Sequence, residues 1–186
     1  VMYANLDGKE GVNNGSNTLE DHGDLTIIGN NTPRYNFGLT LTGAWKGFDF
    51  SVFLQGVMKR DYWLDGPYFW GANGGLWQST AFKEHMDYWR PEGDPLGANT
   101  NAYYPKPYFN TDKNQKVQSG YLQNAAYCRL KNAQIGYTLP KTWTRKAAME
   151  SVRVYVSGDN LVTFTGIRGV FDPELLGSDW GDGKLY

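Results

Sequence analysis

The chain has 186 residues, with 18 basic and 19 acidic side chains and a formal net charge of -1, and is long enough to bury a core of its own. Charges of both signs are interspersed, which excludes a basic nucleic-acid footprint and a polybasic surface built for anionic lipid. Thirteen Tyr, seven Trp, nine Phe and 23 Gly point to an all-β chain. The single cysteine, Cys128, excludes an internal disulfide and reads as a small packing residue. His22 and His85 lack the ligand spacing of a zinc site. The sequence opens at Val1 without the charged region, apolar stretch and cleavage site of a secretory leader. No run of about 18 apolar residues occurs, which excludes a transmembrane helix. Barrel strands are not excluded, because their alternation escapes hydropathy averaging.

In chain order, residues 1–34 are polar and full of turn signals: Asp7-Gly8, Asn13-Asn14-Gly15, His22-Gly23-Asp24 and Gly29-Asn30-Asn31, around an apolar island from Leu25 to Ile28. Asp7 and the Asp21–Asp24 stretch invite calcium but do not match the EF-hand loop. From Tyr35, apolar residues (Phe37, Leu39, Leu41) alternate with Asn36, Gly38, Thr40 and Thr42, which is the period of a strand. Lys46-Gly47 makes a two-residue turn beside Trp45. A second strand then sets Phe48, Phe50, Val52 and Leu54 on one face and Asp49, Ser51 and Gln55 on the other, with Phe53 breaking the polarity. Each strand runs about ten residues, the length a tilted strand needs to cross a bilayer core.

Residues 59–120 form a long connection, in which only Ser79 to Trp89 looks helical. A connection of that length argues against a compact soluble domain and suits an outer-membrane barrel, with short turns on one side and long loops on the other. A third strand is expected from about Tyr121 to Leu139. Read as unbroken alternation, it puts Arg129 and Lys131 on the greasy face and Cys128 and Leu130 on the polar one. That places its charged half near the membrane rim. Pro140 ends it, Lys141 to Glu150 is a helix-prone link with Trp143, and a fourth strand runs from Val152 past Gly158 to Thr165. Residues 166–186 are loop-like. The fold expected is therefore all-β: antiparallel strands of a transmembrane outer-membrane barrel, partial, with long extracellular loops. Four strands cannot close such a barrel.

Several stretches, in order, resemble the carboxy-terminal region of the SusC/RagA family of TonB-linked outer-membrane proteins. They include Ile27-Ile28-Gly29-Asn30, Thr32-Pro33-Arg34-Tyr35, Trp45-Lys46-Gly47-Phe48-Asp49-Phe50, Asp87-Tyr88-Trp89-Arg90-Pro91 and Tyr104-Pro105-Lys106-Pro107. Tyr121 to Asn132, Ile135-Gly136-Tyr137-Thr138-Leu139-Pro140, Val154 to Leu161 and Phe171-Asp172-Pro173-Glu174 complete the series. The resemblance implies that residues 1–186 are the carboxy-terminal part of a TonB-dependent barrel in the outer membrane of a Bacteroidetes-type cell. The plug and the closing strand of a barrel of about 22 strands would lie outside this sequence. It further implies import of glycans or peptides with a SusD-like surface lipoprotein as lid, driven by TonB acting through parts outside this chain. Outer-membrane lipid would surround the barrel, and no nucleic acid is implied.

No catalytic residue, metal ligand or cofactor is expected. The polar faces carry Asn, Gln, Thr, Ser and Gly, groups suited to a wet lumen. Trp63, Tyr68, Trp70, Trp77 and Trp89 are the candidate substrate-binding residues, since their rings can stack on sugars. The plainer reading is that they pack the loop or meet the lid. Glu84, Asp87 and Glu92 suggest a glycosidase's carboxylate pair, although charges on a loop are more often simply solvated. The competing function is a secreted or surface carbohydrate-binding β-module. Contacts with a lid are expected from residues 59–120 and 166–186.

Overall fold

A computed structural model of the chain describes residues 3–71, 81–108, 115–168 and 171–177. The chain forms two compact units: a sheet unit, Asn31–Tyr62 with Gln123–Glu174, and a loop unit built mainly from Val1–Asn30 and Trp63–Leu122.

The sheet unit is an antiparallel meander. β1 (Arg34–Trp45) pairs with β2 (Phe48–Lys59). After the short strands β3 (Asp61–Trp63) and β4 (Leu122–Asn124), which form a separate ribbon, β2 pairs with β5 (Tyr127–Thr138). β5 in turn pairs with β6 (Arg153–Thr165), giving the order β1-β2-β5-β6. The four long strands have 12 or 13 residues each, enough to cross a bilayer core when tilted. They form an open sheet among the described residues, and no described helix is long and apolar enough to cross a membrane.

The connections follow from local chemistry. Lys46 and Gly47 both have positive φ, 47° and 89°. That is the type I′ turn whose twist matches a hairpin. The β5–β6 link holds one α-helical turn, Lys141–Thr144, and a 3-10 turn, Arg145–Ala147. Ala148 ends it in the left-handed region with φ 55°, which lets Met149 N–H reach the Thr144 carbonyl at 3.0 Å.

Three sequence expectations change. The strand expected over Tyr121–Leu139 is two strands, broken at Ala125-Ala126, where Ala125 N–H leaves the ladder for the Arg60 carbonyl (2.8 Å). The helix expected over Ser79–Trp89 is, where described, a single 3-10 turn, Lys83–Met86. The third change is parity. Phe53 pairs with Asn132 and Leu54 with Leu130, so Lys131 is an extra residue in β5. The bulge continues in β6, where the register passes from Asp159 to Val162 and Asn160 takes φ 52°. One extra residue flips every side chain beyond it. Cys128 and Leu130 therefore share the face of Ala133, Ile135 and Tyr137, and Arg129 lies on the polar face, contrary to unbroken alternation.

Candidate functional site: a two-faced sheet and an aromatic loop

With the bulge counted, the register sorts the sheet into rows. On the outward face, Trp45, Phe48, Tyr137 and Val154 form one row. Leu41, Val52, Ala133 and Gly158 form a middle row, and Phe37, Gly56, Cys128 and Phe164 the last. No charged residue lies in these rows or between them. The polar face carries Asp49, Asp159, Arg129 and Arg153 together with Ser51, Gln134, Asn132 and Thr163. In water this arrangement is inverted, because Trp45 is 69% and Val156 71% exposed. An apolar face of this extent is stable against hydrocarbon. Phe37 and Trp45 stand eight residues apart on β1, roughly 27 Å along a strand and about 21 Å along the axis of a barrel tilted near 40°. That approaches the height of an outer-membrane apolar band, with aromatic residues at both rims as membrane girdles require. At the short-turn rim the Phe48 and Tyr137 rings lie 4.5 Å apart, and Lys46 Nζ sits 4.9 Å over Trp45.

Glycines in the rows make room for neighbours. A Cβ on Gly56 would stand 2.7 Å from the Phe37 ring. A Cβ on Gly136 would meet the ion pair of Arg153 and Asp49 at 2.6–2.8 Å. That pair bridges β6 to β2 across β5 on the polar face. Phe53, the residue that broke the polar pattern in the sequence, lies on this face against Gly38.

The loop unit has a conventional apolar core. Leu64 and Phe69 are fully buried, and Trp70 and Tyr104 are 6% exposed. The Phe69 ring packs edge-on against Trp70 and Tyr104, and Trp70 against Tyr121 at 4.9 Å. Burial, then the neighbouring Tyr103, raises the Tyr121 phenol above its usual value, and its O–H donates to the Tyr103 carbonyl (2.9 Å). His85 is buried between backbone groups: Phe82 N–H donates to its Nδ1 (2.8 Å), and its Nε2 lies 3.0 Å from the Phe69 carbonyl. Accepting at Nδ1 leaves the proton on Nε2. Beyond it, Asp87 accepts from Asn99 Nδ2 (3.1 Å) and Tyr103 N–H (3.3 Å), and Arg90 donates to the Gly97 and Met86 carbonyls. These bonds close the Asp-Tyr-Trp-Arg-Pro stretch into a rigid turn. Asp87 is thus engaged in holding the loop.

The structure separates the candidate aromatics. Trp70 is in the loop core, its Nε1–H donating to Asp65 (3.1 Å). Trp63 is half-buried with its ring 6.1 Å from Trp70. Tyr68 and Trp89 are exposed, and Trp77 lies outside the described residues. A cavity of about 170 Å³ borders this core, lined by Trp70, His85, Met86, Tyr88, Tyr104 and Tyr108, with Pro105, Lys106 and Pro107. Tyr88, Tyr104 and Tyr108 were not among the sequence candidates. For Tyr104 and Tyr108 the signal was the Tyr-Pro-Lys-Pro-Tyr run, which reads as a loop but also lines up rings and prolines on one wall, and for Tyr88 it was the Asp-Tyr-Trp-Arg-Pro stretch. Among the described residues no cluster of three metal-ligating side chains occurs.

A sheet with a charge-free lipid face, girdled rims and a polar inner face defines a section of outer-membrane β-barrel wall. No family model matches the chain. Its sequence is 31% identical over 173 residues to TonB-dependent receptor P3 of Formosa agariphila, covering 93% of the chain and 15% of that receptor. TonB-dependent receptor P26 of the same organism is 27% identical over 161 residues, covering 85% of the chain and 15% of the receptor. Among solved structures it resembles the RagAB peptide importer in its open-open state (TM-score 0.56, 25% identity, 80% of this chain and 15% of that one). It also resembles the RagAB peptide transporter (TM-score 0.53, 28% identity, 77% and 15%). The resemblance to SusC/RagA-type TonB-linked proteins of the outer membrane is borne out. The chain spans about 15% of the length of the curated relatives it matches.

Proposed function

We propose that this chain is the carboxy-terminal wall section, with its loops, of a TonB-dependent outer-membrane importer that takes up peptides or glycans under a SusD-like lipoprotein lid. The observation that carries the reading is the sheet itself. It is charge-free across the outward rows and hydrogen-bonding across the inner ones, in a chain similar over 93% of its length to a TonB-dependent receptor. The structural neighbours are named as a peptide importer and a peptide transporter, which favours peptide over glycan as cargo. TonB would act through parts outside this chain. The residues of the long loop suited to meet cargo or lid are the exposed Tyr68 and Trp89 and the rings lining the cavity, Tyr88 and Tyr108. Trp63 and Trp70 serve mainly to hold the loop together, and the chain itself has no catalytic part. The test is to purify the native polypeptide from outer membranes and run it boiled and unboiled. A large band that shifts on heating and brings a lipoprotein with it is the expected result. A soluble band near 21 kDa that does not shift would overturn the reading in favour of a secreted sugar-binding module.

A further inference from the structure

The polar face of β5 carries a charge network that spanning the membrane does not require. Arg129 is 8% exposed, and every nitrogen of its guanidinium has a partner. Nε donates to Thr163 Oγ1, Nη1 to Glu174 Oε2 and Nη2 to Asp172 Oδ1, each at 2.7 Å. Lys131 Nζ reaches the same Glu174 oxygen at 2.8 Å, and the Tyr127 hydroxyl donates to the other at 3.3 Å. Glu174 N–H closes the set by donating to Asp172 Oδ1 (2.9 Å). Two cations from a strand therefore meet two carboxylates from the segment beyond β6, and the local charge cancels. Phe171 and Pro173 of that segment are buried as well.

The bulge at Lys131 makes this possible. Without the extra residue, continuing the outward phase of Ala133, Ile135 and Tyr137 back along β5 would turn Arg129 and Lys131 toward lipid. With it, both cations reach the polar face at the height of Glu174. We propose that Phe171–Glu174 is an inward-folded strap, locked to the barrel wall by the two cations the bulge delivers, so that this part of the lumen mouth is a fixed and electrically neutral surface. The lock is built into the wall and needs neither cargo nor lid.

The test is hydrogen exchange, read by mass spectrometry, on the peptide containing Phe171–Glu174 in the intact receptor in lipid vesicles without cargo or partner. The heat-shift of the barrel on gels is the folding control. Slow exchange is expected in the unaltered protein. Glu174→Gln should speed it at least about tenfold, the effect of losing a charge-assisted pair, and Arg129→Gln should do the same. Asp159→Asn, on the same face but outside the network, should leave it unchanged. Exchange in this peptide that is already fast, or that Glu174→Gln leaves unaltered, overturns the strap. If Arg129→Gln prevents barrel assembly, Glu174→Gln decides alone, because Glu174 lies off the strands.

Discussion

The sheet and the long loop are both aromatic-rich, and they treat their rings in opposite ways. In the loop, Phe69 is fully buried and Trp70 and Tyr104 nearly so. In the sheet, Trp45, Phe48, Phe50 and Phe164 all stand open. The same residue types follow different rules because the two regions have different solvents. The loop must exclude water from an apolar core, as any globular unit does. The sheet turns its apolar rows outward because its surroundings are hydrocarbon, and keeps its charges for the inner face. A composition-based hydropathy average cannot see this difference.

Three experiments would break or sharpen the contrast. The largest effect is expected from Phe69→Ala, which empties the loop core and should destabilise that unit by about 3–5 kcal/mol. Limited proteolysis should then cut residues 63–71 and 81–108 while the barrel's heat-shift is unchanged. Next comes Val52→Arg, in the middle outward row, which should cost about 2–4 kcal/mol in urea unfolding from lipid vesicles. Ser51→Arg, one residue away on the inner face, should stay within about 0.5 kcal/mol. Equal effects would remove the distinction between the faces. The smallest effect is local to the amino-terminal turn. There the Asp24 carboxylate accepts backbone N–H groups from Asn13, Asp7 and Leu6, which hold its pKa below the ordinary carboxylate value. A lowered folded-state pKa means that the turn is stabilised above the unfolded value and loses that support as pH falls through the folded one. The amide resonances of these three residues should broaden in that acid range, and Asp24→Asn should abolish the pH dependence.

Much of this was legible in the sequence. Tyr35 to Leu54 alternates except at Phe53, Lys46-Gly47 has the residues a tight hairpin turn needs, and both strands have membrane length. The bulge was not legible. Lys131 carries no glycine or proline beside it to announce an irregularity, and alternation resumes on either side, so the period alone predicts the wrong phase for Tyr127 to Leu130. The only sequence clue was energetic: two cations on a face otherwise made for lipid. The break at Ala125-Ala126 was hidden for a related reason. Small residues are compatible with a continued strand, and the hydrogen bond that ends it runs from Ala125 N–H to the carbonyl of Arg60, more than sixty residues earlier. In the loop, the rings were visible but their burial was not. Trp70 and Trp89 look alike in sequence, and tertiary packing alone puts one in the core and the other at the surface.

The most direct measurement is a cysteine and spin-label scan of β5, Tyr127 to Thr138, in the intact receptor in lipid, comparing collision with oxygen and with a water-soluble nickel chelate. The bulged, lipid-facing sheet predicts oxygen maxima at 128, 130, 133, 135 and 137, with the phase slipping at Lys131. Maxima at 127, 129 and 131 in unbroken alternation with 133, 135 and 137 would contradict it, as would chelate access on both faces throughout.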